Sequence, residues 1–232
     1  SDIIDVGIQN SGVEHVVPEK ITEEELQTAQ FIMTDDEADV WKNLYKEKDG
    51  YYELKDLSED KLNQADEELT VPLIMNYQMS AMEVDAFKKS IAAQMGMDEA
   101  QLADMSVEQI GQMMHVELES FMQEKEDDDG NTKTVECVDV RSVFSAMLQS
   151  GTMTKDQLLS MRDDMEDTID AMGSSLVKSM GVAYAVSADK TAGVDIDQVQ
   201  KDYLWMSGLK MVGMALLMGV VTVLVGFFAS RV

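Results

Sequence analysis

MVGMALLMGVVTVLVGFFAS, residues 211–230, runs for twenty positions without a charged side chain in a polypeptide whose formal net charge is −27. A helix of that length covers about 30 Å, the thickness of a bilayer's hydrocarbon core. A helix packed in a soluble core would show a polar stripe toward water, and none interrupts this run. The run is also too long for the apolar region of a cleaved leader and lies at the wrong end of the chain. Tyr203 and Trp205 stand just ahead of it, where amphipathic rings favour the membrane interface. The sequence therefore predicts a membrane-crossing helix joined to a large acidic region.

All 45 acidic residues precede Lys210, with 16 of the 18 basic ones (all but Lys210 and Arg231), so the region ahead of the run carries −29. That charge repels phosphate and excludes nucleic acid as a partner. It also disfavours the anionic surface of a cytoplasmic leaflet, which tilts the region outward. The basic residues flanking the run, Lys201 and Lys210 before it and Arg231 after it, are too evenly split to orient it by themselves.

Two pieces at opposite ends read as one interrupted pattern: residues 3–10, IIDVGIQN, and residues 203–232, YLWMSGLKMVGMALLMGVVTVLVGFFASRV. As an ordered pair they resemble the bacterial half-transporter type of ABC exporter. In that family the first transmembrane helix ends in an IIDxGI-like sequence. The second carries a tyrosine, a glycine-containing turn, a long apolar run and an A-S-R-V-like exit. The resemblance covers about forty of the 232 positions, and it departs from the family in one respect: the usual short outer loop is replaced by roughly 190 residues.

The resemblance implies that residues 1–10 end a first transmembrane helix, that 11–194 form an extracytoplasmic insertion, and that 195–232 are the second transmembrane helix with its outer extension. The setting would be a bacterial cell membrane. The implied partners are membrane lipid, a second transporter half, and an exported peptide or small molecule, cationic or amphipathic by charge complementarity. ATP and magnesium would serve the parent transporter. No cofactor is expected in this piece, because no glycine stands in the G-x-x-x-x-G-K-[ST] pattern that cradles phosphates. The start at Ser1 and the stop just after Arg231 suggest a piece of a longer polypeptide. Its expected role is to cap the exit or to contact cargo or a partner. The alternative is a membrane-anchored acidic adaptor or receptor domain that binds a protein and transports nothing.

The fold class expected for the insertion is mainly α. Prolines occur only at Pro18 and Pro72, glycines are sparse and β-branched runs are short. Capping boxes at Thr22/Glu25, Thr34/Glu37, Ser106/Gln109 and Thr154/Gln157, and Pro72 at a helix start, predict helices over 22–33, 35–47, 58–68, 71–81, 81–95, 98–104, 106–125, 138–150 and 154–188, with a last one from about 195 through the membrane. Within 154–188, Leu158, Met161, Met165, Ile169, Met172, Leu176 and Met180 form an eleven-residue repeat, which predicts one long helix packed along another. The D-G pair within residues 46–56 marks a small hairpin or loop, residues 125–133 an acidic turn between two helices, and residues 187–195 a break before the membrane helix.

Candidate sites are few. The acidic turn resembles a degenerate EF-hand loop, with Asp127 and Asp129 at the third and fifth ligand positions and Glu136 at the last. Lys125 occupies the first ligand position, so a solvated turn competes with calcium binding. His15 and His115 are the only histidines, and neither lies in an H-E-x-x-H pattern; methionines beside His115 suggest either a soft-metal site or ordinary core. Cys137 is alone, among valines, and reads as a buried thiol. The twenty methionines fill a core or line an adaptable groove, with Met79, Met82, Met113, Met114 and Met122 as the test set. With 45 carboxylates, chance pairs are inevitable, and no enzyme signature is recognisable.

Overall fold

The computed structural model describes residues 14–126 and 129–194. In chain order these form β1 (Lys20–Thr22), α1 (Glu23–Thr28), a 3-10 turn (Ala29–Ile32), α2 (Asp35–Asn43), β2 (Tyr45–Lys48), β3 (Tyr51–Leu54), α3 (Glu59–Ser80), β4 (Met82–Glu83), α4 (Val84–Met95), α5 (Glu99–Ala103), α6 (Val107–Met114), β5 (Ser120–Glu126), β6 (Thr132–Val138), α7 (Arg141–Ser150), α8 (Lys155–Asp170) and α9 (Ser174–Thr191). The body is mainly helical, with two small antiparallel sheets of strand order β1-β3-β2 and β4-β6-β5. Among the described residues no helix is long and apolar enough to cross a membrane. Residues 1–10 and 195–232, the two expected membrane segments, lie outside the described residues, as does Asp127.

Local signals explain most boundaries. Thr34, Ser106 and Thr154 close reciprocal capping boxes with Glu37, Gln109 and Gln157. At Asp49 and Gly50 both φ angles are positive, 54° and 84°, the geometry that matches a tight hairpin to the twist of its strands. The hairpin of residues 46–56 is thus β2 and β3. Helix α9 continues through Ser187 and stops at Gly193, where Gly193 N–H bonds Lys190 C=O and Val194 N–H bonds Asp189 C=O, a left-handed glycine stop.

Four expectations need correction. The helix expected to begin at Pro72 is the second half of α3, which runs unbroken from Glu59 to Ser80. An interior proline costs about 3 kcal/mol, which α3 offsets by being buried along two faces. Residues 106–125 are not one helix: α6 ends at His115, itself left-handed at φ 58°, and β5 follows. The acidic turn therefore joins two strands, not two helices. The long helix over 154–188 is broken at Gly173, φ 89°, into α8 and α9. Its apolar repeat survives the break, because Leu158, Met165, Ile169 and Met180 all enter the same core.

Two hydrophobic cores share α3 as a wall. Ala65, Leu69, Leu73 and Tyr77 face a first core with Ile21, Leu26, Trp41, Tyr45 and Val182. Ile74, Met75 and Met79 face a second with Phe87, Ile110, Phe144, Met147 and Met165. Helix α9 also serves both, with Met180 in the second core and Val182 and Tyr184 in the first.

Candidate functional site

The polar side chains that are buried gather at the seam between the cores and along the incoming segment. Glu25 sits in the first turn of α1, whose N-cap is Thr22. Its carboxylate accepts from Asn76 Nδ2 at 2.9 Å, from Tyr184 Oη at 2.9 Å and from Arg141 Nη1 at 3.0 Å. Asn76 Oδ1 accepts from the same Nη1 at 3.0 Å, and Asp139 takes Arg141 Nη2 at 2.9 Å. One carboxylate thus joins α1, α3, α7 and α9. The box expected at Thr22 and Glu25 is only half formed for this reason: Thr22 caps Glu25 N–H, while the Glu25 side chain is committed to the seam. Burial and the nearby Glu25 charge push the Tyr184 phenol well up, and Asp139 and Glu25 hold Arg141 charged despite its burial.

A second latch closes on the 3-10 turn. Lys155 donates to the Gln30 carbonyl at 3.0 Å and to that of Phe31, and Arg162 donates to the Ile32 carbonyl at 3.0 Å and grips the Glu37 carboxylate with both terminal nitrogens. Cations from α8 thus cap the carbonyl end of a short helix, where the backbone dipole favours positive charge.

The incoming segment lies along α9 in the same direction. Val16 meets Gly181, where an added Cβ would overlap the Val16 side chain, and Lys20 N–H donates to Asp189 Oδ1 at 3.0 Å. Asp66, buried on α3, accepts from Val16 N–H at 3.0 Å, His15 Nδ1 at 2.8 Å and Lys178 Nζ at 2.7 Å. Asp189 is 1% exposed; burial, reinforced by Glu19, pushes its carboxyl up to about 7 against the opposing hydrogen bonds from the backbone.

The residues singled out from sequence are scattered. Asp129 lies in the β5–β6 turn, whereas Glu136 lies on β6 opposite Met122. Four strand residues beyond Thr132 place Glu136 about 13 Å down the strand, so the fold does not bring these two candidate calcium ligands together. Met114 is in the second core while His115 is exposed, which separates the two as metal ligands. His115 instead supplies the left-handed cap of α6, and Val116 turns back so closely on Gly111 that a Cβ there would stand 2.6 Å from the Val116 carbonyl oxygen. Of the five test methionines, Met79, Met82 and Met114 are buried and Met113 is half-buried; only Met122 is exposed. No groove is lined by that set. Cys137 is buried on β6, and burial pushes its thiol up. Sequence reasoning read Glu25 only as a capping partner and missed Asp66, Arg141 and Asp189, since each is one more charge in a highly charged chain until the fold encloses it.

Charged latches thus fix two lobes, one around each core, and the incoming segment is clamped to the outgoing helix. Comparison with known family models, curated proteins and solved structures finds no match for the chain.

Proposed function

We propose that residues 14–194 are the extracytoplasmic body of an ABC exporter half, riding between its first two membrane helices and capping the exit or meeting departing cargo. The observation that carries this reading is the attachment. The incoming segment and the outgoing helix α9 are packed on one another through Val16 and Gly181 and tied by Lys20 N–H on Asp189. Displacement of either flanking segment therefore moves the whole body as a unit. The apolar run of residues 211–230 supplies the adjoining span, and a −29 region ahead of it favours cationic or amphipathic cargo.

Topology tests the reading. In the parent transporter carrying Cys137→Ser, a cysteine at the exposed Tyr51 is expected to react with a membrane-impermeant maleimide in intact cells. Reaction only after permeabilisation overturns it. Binding of a cationic peptide is expected to weaken steeply from low to high salt, since screening shortens to about 10 Å at 0.1 M; a flat response removes the steering.

A second reading, the anchored adaptor, has one observation in its favour. Phe121 and Met122 are 40% and 62% exposed on β5, an edge strand of its sheet, and an apolar edge suits strand addition by a protein partner. A parent sequence that stops shortly after Val232 selects this reading, and one that continues to a phosphate-binding loop selects the exporter.

A further inference from the structure

We propose that Glu14, His15 and Glu59 form a divalent-metal site, with Zn²⁺ as the ion its chemistry fits. The proposal stands on the geometry of the His15 imidazole and does not depend on the exporter reading. Asp66 is almost fully buried, and its Oδ1 takes Val16 N–H at 3.0 Å while its Oδ2 takes Lys178 Nζ at 2.7 Å and His15 Nδ1 at 2.8 Å. Nδ1 is thereby committed to the buried carboxylate, and Nε2 is the ring nitrogen left to face outward.

What Nε2 faces is another acceptor. Glu59 Oε1 lies 3.2 Å from it, and a Glu14 carboxylate oxygen completes a trio of ligand atoms all within 4.8 Å of one another. Two lone pairs at such a distance need a cation between them, either a second ring proton or a metal ion. A tetrahedral ion with bonds of about 2.0 Å spaces its ligands about 3.3 Å apart, which the His15–Glu59 pair already meets. One imidazole and two carboxylates suit zinc among the common divalent ions. A buried carboxylate bonded to the far nitrogen of a ligating histidine is the usual outer partner of such a site. Charge agrees as well: Glu14, Glu59 and Asp66 against Lys178 leave two negative charges for a dication to neutralise. Glu59 is 65% exposed and Glu14 is exposed, so the fourth position opens to water.

The ion would bind the incoming segment to the first turn of α3, just before that segment turns along α9. It would act as a clip that adds metal-dependent stability to the strand-helix attachment.

The test is calorimetric titration of Zn²⁺ into the chelator-stripped full chain in detergent, with Mg²⁺ in large excess to occupy diffuse carboxylate sites. One equivalent is expected to bind, with affinity lowered at least tenfold in His15→Gln and in Glu59→Gln. X-ray absorption at the zinc edge is expected to show a nitrogen/oxygen shell with imidazole scattering. Because the Glu59 side chain is mostly in water, Glu59→Gln keeps the fold and decides the matter if His15→Gln unfolds. No stoichiometric uptake, uptake unchanged in Glu59→Gln, or an oxygen shell without imidazole overturns the site and leaves His15 as an imidazolium bridging Asp66 and Glu59.

Discussion

The two cores on either side of α3 are built differently. The first contains Trp41, Tyr45, Tyr77 and Tyr184 and a single methionine, Met33. Its rings have tied polar ends: Trp41 Nε1 donates to Leu26 C=O at 3.0 Å, Tyr45 Oη to Pro18 C=O at 2.8 Å and Tyr184 Oη to Glu25 at 2.9 Å. Among the described residues the second buries Met75, Met79, Met82, Met114, Met147, Met153, Met165 and Met180 beside Phe31, Phe87 and Phe144. Rings with bonded ends admit one packing, whereas unbranched thioethers adapt to several. The stiff core holds the attachment to the flanking chain, and the adaptable one lies under the projecting β5–β6 hairpin.

The contrast breaks most sharply at Trp41. Trp41→Ala is expected to cost about 4 kcal/mol, as a large buried ring is lost and the Leu26 carbonyl keeps only Gln30 Nε2 as a side-chain donor. Met147→Leu in the second core is expected to cost less than about 1.5 kcal/mol. Urea unfolding followed by circular dichroism measures both, and equal losses would erase the distinction.

Next comes the latch between the lobes. Arg162→Met leaves the Glu37 carboxylate without its cation and the Ile32 carbonyl without its donor, an expected loss of about 3 kcal/mol. Chemical denaturation reads it, and a loss below half that value would show that the lobes are held by α3 and α9 alone.

The root of the first core has its own signature in pH. The Asp189 carboxyl stands at about 7 in the fold against 3.8 in the open chain, so the native state binds more protons between those values. Stability is therefore expected to be fullest below about pH 4, to fall as pH rises toward 7, and to stay low above it. Asp189→Asn keeps an acceptor for Lys20 N–H but cannot ionise. It should flatten this slope and raise stability above pH 7 by on the order of 2 kcal/mol, less than the whole shift implies because the amide must also be desolvated. Thermal melts across the range check it; an unchanged slope in the variant would assign the dependence to other groups.

The smallest effect belongs to the second core. His115 holds a left-handed backbone that glycine adopts freely, so His115→Gly is expected to add about 0.5–1 kcal/mol. A thermal shift of opposite sign would show that the exposed imidazole contributes a bond of its own.

Much of the helical content was legible because its signals are local. Thr34 with Glu37, Ser106 with Gln109 and Thr154 with Gln157 cap helices by contacts three residues apart, and Asp49-Gly50 turns a hairpin by its own backbone preference. Errors arose where a local cue was ambiguous or outweighed. Pro72 suits a first turn, yet burial on two sides carries α3 through it. The repeat from Leu158 to Met180 continues across Gly173 because both helices face one core, so apolar spacing alone could not register the break. The strand β5 was hidden because Phe121, Met122 and Gln123 carry no firm preference until β6 pairs with them.

The candidate sites were the least legible. His15 has no ligand partner nearby in sequence except Glu14; Glu59 and Asp66 join it only when α3 crosses the incoming segment. Glu25, Asn76, Arg141 and Tyr184 likewise come from four separate elements. Conversely, Asp129 and Glu136 looked like a ligand pair in a loop and became residues at different heights of a hairpin.

Composition and short-range chemistry by themselves determined the charge of this protein, its helix-rich character, most of its caps and turns, and the apolar run of residues 211–230. Only the tertiary structure decided which of 45 acids are enclosed and bonded, which methionines are core, and how the incoming strand meets the outgoing helix. The physical reason is range: caps and hairpin turns are fixed by neighbours a few residues apart, whereas burial, a shifted carboxyl and a shared ligand set arise when distant segments remove one another from water.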